Sequence, residues 1–217
     1  MKSKAHQRYK LANGENVPGV TTITGQLNKP ALIIWANKLG LAGIDSNKFR
    51  DDKAEIGSLG HEMIVAHLSK REPDTSDYSK NQIDQAENCF LSYLEWEKQH
   101  IIEPKLTEFQ AVSETYKYGG AFDFYGSVDE TLEVVDFKTG SGIYDEMWFQ
   151  VAAYGKLITD HGRESKSLPI QRYRILNIPR TEDESFLEEV KTDLSLHFEA
   201  FLKLLDFYYL NKQINRK

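Results

Sequence analysis

The chain has 217 residues, 40% hydrophobic and 28% charged, the composition of a folded globular protein with enough apolar material for a sizeable core. Its formal net charge of −6 argues against a protein that coats nucleic acid with a general basic surface, and leaves room for a local site where a cation offsets clustered carboxylates. A single cysteine, Cys89, excludes a disulfide framework and any four-thiolate zinc or iron–sulfur site within one chain.

The basic start Met1-Lys-Ser-Lys leads into no apolar stretch, so no secretory signal is expected and a cytoplasmic location is. Residues 1–30 read as irregular, with turns at Asn13-Gly14 and Pro18-Gly19 and a short extended piece at Val20-Thr-Thr-Ile-Thr24. The longest apolar run, residues 31–36, opens a helix behind Pro30 and is far short of the roughly 20 residues that span a bilayer, so no membrane partner is expected. Residues 53–68 carry Ile56, Leu59, Met63 and Ala66 at helical spacing, residues 69–78 read as a loop, and residues 79–100 form a longer amphipathic helix.

The period then changes. Residues 106–115, 120–128 and 131–139 are rich in β-branched and aromatic residues, and Asp129-Glu130 joins the last two as a tight hairpin. Gly140-Ser-Gly142 breaks the strand, residues 145–160 read as a helix, 170–178 as a strand, and 182–211 as one long C-terminal helix. Phe198, Phe201, Leu204 and Leu205 would pack that helix on the sheet, leaving an oligomer contact open. The order predicts an α/β fold with a mixed central sheet flanked by helices. It divides as one domain: residues 1–100 an N-terminal extension and helices, 101–178 a sheet and helix, 179–217 a C-terminal helix.

Chemistry concentrates in Gly119-Gly-Ala-Phe-Asp123, then Val134-Val-Asp136-Phe-Lys138-Thr-Gly140, then Gln150-Val-Ala-Ala-Tyr154. Alternation along a strand puts Asp136 and Lys138 on one side and Val135 and Phe137 on the other, in the core. A hairpin closing at Asp129-Glu130 pairs positions symmetrically about the turn, so Asp123 falls opposite Asp136. Two carboxylates so placed repel unless a cation lies between them. A lone D-x-K on a strand is more often an ordinary structural ion pair, and a lone His61 a core or surface histidine. His61 and His67 are six apart on a helix, about 240° around it, and cannot grip one zinc together.

The ordered set resembles the PD-(D/E)XK nucleases, in particular their RecB-like branch and related phage exonucleases. Gly120-Ala-Phe-Asp123 matches the family's Gly-x-x-Asp, Asp136-Phe-Lys138 its D-x-K, Gln150 and Tyr154 its Gln-x-x-x-Tyr, and Gly57 with His61 its upstream histidine. The opening Val17-Pro-Gly-Val-Thr21 and the Leu32–Trp35 segment are similar to phage members. The resemblance implies a restriction-endonuclease-like core and a metal-dependent DNA nuclease, of exonuclease type and acting in recombination or repair, in a bacterial cell or phage-infected host. It implies Mg²⁺ or Mn²⁺ held by Asp123, Asp136, the Phe137 backbone carbonyl and His61, with Lys138, Gln150 and Tyr154 completing the catalytic set. Glu108 is the nearest candidate for the acidic residue that the family often places before its first Asp. DNA is the implied partner, with a single-strand-annealing or recombination protein beside it. The cysteine-bound iron–sulfur cluster of some relatives is not expected, because Cys89 stands alone. The alternative is a catalytically inactive nuclease fold serving as a DNA-binding or assembly subunit.

Overall fold

The computed structural model describes residues 8–163 and 169–215; the basic start at residues 1–4 lies outside them. Two short strands, β1 (Tyr9–Lys10) and β2 (Asn16–Val17), pair antiparallel around the Asn13-Gly14 turn, where Gly14 takes a φ of +84°. Six helices and the five strands of the main sheet follow. They are α1 (Val20–Thr24), α2 (Pro30–Leu41), α3 (Ser46–Leu68), α4 (Lys80–Glu97), β3 (Ile102–Ser113), β4 (Tyr118–Val128), β5 (Thr131–Lys138), α5 (Asp145–Arg163), β6 (Arg172–Asn177), β7 (Leu187–Lys191) and α6 (Ser195–Ile214).

The sheet runs β3-β4-β5-β6-β7, with β5 and β6 parallel and every other neighbouring pair antiparallel. It is a mixed sheet covered on both faces, and its central strands β4 and β5 are accordingly buried along most of their length rather than at alternate positions. On one face Val134, Phe122 and Ile175 pack against Trp148 and Leu157 of α5, Ile23 of α1 and Phe201 of α6. On the other, Val135, Phe137 and Leu176 meet Ile64 of α3 and Cys89, Tyr93 and Trp96 of α4.

Local signals set the helices that cover this second face. Asp45 caps α3, its carboxylate accepting the N–H groups of Asn47 and Lys48 at 2.9 and 3.1 Å. Ser79 and Gln82 form a reciprocal capping box at the start of α4. The Gln82 amide also donates to Asp52 and Glu55, so the cap that starts α4 fixes it against α3.

Three expectations are corrected. Val20–Thr24 is helical, not extended. Its β-branched composition favours a strand, but Val20, Ile23 and Thr24 recur at helical spacing and are buried together, and that burial decides the conformation. The helix expected over 182–211 starts only at Ser195; Leu187–Lys191 is instead an edge strand beside β6, with four of its five residues exposed. The helix expected from residue 53 begins seven residues earlier, at Ser46, which lengthens the face it presents.

Candidate active site

β5 ends in the D-x-K. The hairpin register is as symmetry requires: Phe124 faces Val135 and Val128 faces Thr131 across a connection whose two residues both have positive φ, +50° and +63°. Asp136 is 2% exposed. Its Oδ2 lies 2.7 Å from Lys138 Nζ as an ion pair, yet this buried oxygen has no aligned hydrogen bond. Burial pushes the Asp136 carboxyl up to about 6; the Lys138 ammonium opposes the rise and the Asp123 charge adds to it. Burial would lower the Lys138 ammonium, but Asp136 and Asp123 outweigh it and the group stays charged.

Asp123 is the step of β4 just beyond the last ladder pair with β5. There its side chain takes over: Oδ2 accepts the Phe137 N–H at 2.8 Å, and Oδ1 meets His61 Nε2 at 2.9 Å. Burial would raise the Asp123 carboxyl, but the His61 charge and hydrogen bond, with Lys138, bring it below the usual range. Burial opposes a charged His61 too, and Asp123 reverses that, so the imidazole titrates above its ordinary value. On the other side of Asp123, β3 pairs Thr107 with Phe124 and Phe109 with Phe122, so the intervening Glu108 is the residue facing Asp123. Glu108 has a φ of +46°, a kink that breaks the pairing at that step. Glu108, Asp123 and Asp136 therefore occupy one row across three strands. Arg71 stands 3.7 Å from Glu108 and also binds Glu62.

Two glycines explain themselves by close approach. A Cβ on Gly120 would fall 2.8 Å from the Tyr154 ring, so Gly120 lets α5 lay that ring on β4. A Cβ on Gly57 would collide with Thr139 Oγ1, so Gly57 lets α3 reach the end of β5 and brings His61 to Asp123. Tyr154 is buried, and burial together with the charges of Asp136 and Asp123 holds its hydroxyl neutral, well above its ordinary range. Gln150 turns elsewhere: its Nε2 donates to Thr24 Oγ1 at 3.0 Å, tying α5 to α1.

His61, Glu108, Phe137 and Lys138 open onto a cleft of about 1470 Å³. Its further lining includes Trp35 of α2, Phe49, Arg50 and Lys53 of α3, Arg71, and Tyr144 of the segment after β5. Apart from Trp35, these residues carry no individual site signal in the sequence, because their convergence needs α2 and α3 to pack. The available signal was the stripe Phe49, Lys53, Gly57 and His61 at four-residue spacing, hidden by starting the helix at residue 53.

The donor set of two carboxylates, an imidazole and a nearby glutamate suits a hard divalent cation, and the buried Asp136 Oδ2 without an aligned partner is the kind of atom a cation satisfies. As placed, no three His, Cys, Asp or Glu side chains among the described residues converge as a metal cage, since His61 and Asp123 are turned on each other.

No protein-family model and no curated protein matches the chain. Among solved structures, a putative exonuclease from Eubacterium rectale is similar over 88% of this chain and 70% of its own, at 11% identity with a TM-score of 0.40. The alkaline exonuclease of Laribacter hongkongensis is similar over 75% of this chain and 90% of its own, at 13% identity with a TM-score of 0.35. Its complex with dAMP is similar over 71% and 83%, at 15% identity with a TM-score of 0.28.

Proposed function

We propose that the protein is a divalent-metal-dependent deoxyribonuclease of PD-(D/E)XK type, an exonuclease of the RecB-like, phage kind that acts in DNA recombination or repair. The observation that carries this reading is the buried Asp136–Lys138 pair at the end of β5, in one row with Asp123 and Glu108 and beside His61, at the edge of a large cleft. Burying a carboxylate pair with one ammonium costs stability, and a fold bears that cost where the charges have work to do.

Asp123, Asp136, the Phe137 carbonyl and His61 would hold the cation, with Glu108 next in the row. Oxygen donors suit Mg²⁺ and Mn²⁺ alike, while the imidazole favours Mn²⁺. When bound, the cation would supply Lewis acidity at the scissile phosphate and a more acidic water. Lys138, charged and in contact with Asp136, orients the attacking water and faces the negative charge that builds on the phosphate. Tyr154 and Gln150 act as positioning residues. The neutral Tyr154 ring braces β4 at Gly120, and Gln150 fixes α1 through Thr24.

The test is cleavage of end-labelled linear and covalently closed circular DNA with Mg²⁺, Mn²⁺ or EDTA, beside Asp136→Ala and Lys138→Ala proteins. Metal-dependent loss of linear DNA alone, absent in both variants, is expected. Cutting of circles would make the enzyme an endonuclease on the same site. DNA binding without cutting of any substrate would replace the enzyme with an inactive nuclease-fold subunit.

A further inference from the structure

The cleft extends well beyond the D-x-K, and its far arm lies between α2 and α3. Among the described residues α2 is the only helix with no buried side chain. Leu32, Ile33 and Ile34 are 55–70% exposed, an arrangement that water disfavours unless something apolar is to be met there. Leu32 and Trp35 of this helix face the cleft, and Trp35 is half-buried with its ring tilted over Phe49, centroids 6.1 Å apart. From Phe49 the opposite wall continues along one stripe of α3 through Lys53 and Gly57 to His61, a path of roughly 18 Å at the helical rise. Arg50 and Lys53 stand beside the rings. Lys53 lies 5.8 Å from the Phe49 ring centre, and Arg50 pairs with Asp51 on an exposed surface where water screens the bond and a phosphate can displace it.

We infer that this arm holds the unpaired bases of a single DNA strand, stacked on Trp35 and Phe49 with Arg50 and Lys53 at its phosphates, leading the strand along α3 to the Asp136 site. The inference rests on the nuclease reading and extends it to the form of the substrate. Aromatic faces interleaved with cations along a groove recognise bases whose own faces are open. A duplex presents base edges and phosphates instead, and would leave the rings without a partner. The groove's continuity with His61 and Lys138 puts the strand's phosphates in line with the carboxylate row.

The experiment measures binding in the Lys138→Ala protein, with Mg²⁺ present, of a short fluorescein-labelled oligodeoxythymidylate and of a blunt duplex of equal length. Trp35→Ala and Phe49→Ala should each weaken the oligonucleotide about tenfold and leave the duplex unchanged. The oligonucleotide should quench tryptophan emission, since Trp96 and Trp148 are buried and Trp35 alone is open to it. Trp35→Phe should keep the affinity and lose the quenching. Equal losses on both probes, or none, would overturn the inference. So would a change of oligomeric state in Trp35→Ala with unchanged affinity, which would assign α2 to a second copy of the chain. If no DNA is ever cut while the oligonucleotide still depends on Trp35, the nuclease reading fails and this one stands. If linear DNA is cut and both rings are indifferent, the reverse holds.

Discussion

Asp123 Oδ2 accepts the backbone N–H of Phe137 at 2.8 Å, replacing with a side chain the pair that β4 and β5 would otherwise make at their next step. The same carboxylate binds His61 through Oδ1. Structure and chemistry are thus joined in one residue, and two substitutions separate them. Asp123→Ala leaves a part-buried N–H without its acceptor and should destabilise the fold by about 1–3 kcal/mol in urea unfolding. Asp123→Asn keeps an acceptor oxygen and should retain most of that stability. Both should lose cleavage, because neither carries the charge. An Asn protein that cuts DNA at the native rate would remove Asp123 from the catalytic set.

A cation that binds the folded site stabilises it by mass action, whatever the catalytic outcome. At a hundredfold excess over its dissociation constant the gain is about 2.7 kcal/mol, visible as a rise in Tm with Mg²⁺ or Mn²⁺. Asp136→Asn should abolish that rise, since it neutralises the buried carboxylate whose Oδ2 lacks an aligned partner. A native protein whose Tm ignores both cations would contradict the metal assignment even if DNA were bound.

His61 tests which cation is meant. Its Nε2 is 2.9 Å from Asp123 Oδ1, close enough for both groups to reach one cation. His61→Ala should weaken the Mn²⁺-induced stabilisation more than the Mg²⁺-induced one, because imidazole discriminates in favour of the softer ion. Unchanged responses to both would take His61 out of the ligand set and leave it as the partner of Asp123 alone.

The facing of Asp123 and Asp136 is legible in the sequence, because a hairpin with a two-residue connection fixes its own register. Phe124 opposite Val135 followed from the turn at Asp129-Glu130. What was hidden depended on partners distant in sequence. Val20–Thr24 looks extended by composition and becomes helical because Val20 and Ile23 find the core formed with α5 and α6. Leu187–Lys191 has the charge of an exposed helix, and pairs as an edge strand because β6 offers it an open side. Glu108 became more than a nearby acid only once the β3 register placed it across from Asp123. Gln150 has the spacing to reach the site, but Thr24 of α1 takes its amide.

Gly57 makes a sharper packing claim. Gly57→Ala should destabilise by about 1–3 kcal/mol, since its methyl collides with Thr139 Oγ1 and forces either that side chain to turn or α3 to shift. Thr139→Ala removes the colliding oxygen, so the double variant should recover most of the lost Tm. Cleavage should follow the same order, because α3 carries His61 to Asp123. Additive losses in the double variant would show that Gly57 is there for another reason.

The second buried charge cluster has a structural role, and the sheet's alternation identifies it. Glu133 shares its face with Val135 and Phe137 and is fully buried among them. Parallel pairing brings Arg172 beside it and Arg174 two pairs further along, on the same face, and both guanidiniums donate to its carboxylate at 2.7 and 2.8 Å. Arg174 also lies over the Trp96 ring and contacts Glu188 of β7, so one glutamate ties β5 and β6 to α4 and the edge strand. Glu133→Ala takes the shared carboxylate from Arg172 and from the almost wholly buried Arg174, which keeps Glu188 alone, and should cost about 3 kcal/mol. Glu133→Gln retains acceptor oxygen and should cost less. The loss should be nearly the same at low and high salt, because ions do not reach a pair this deep. A loss below about 1 kcal/mol, or one that salt erases, would mean that the cluster is solvated in solution and does not hold β7 in place.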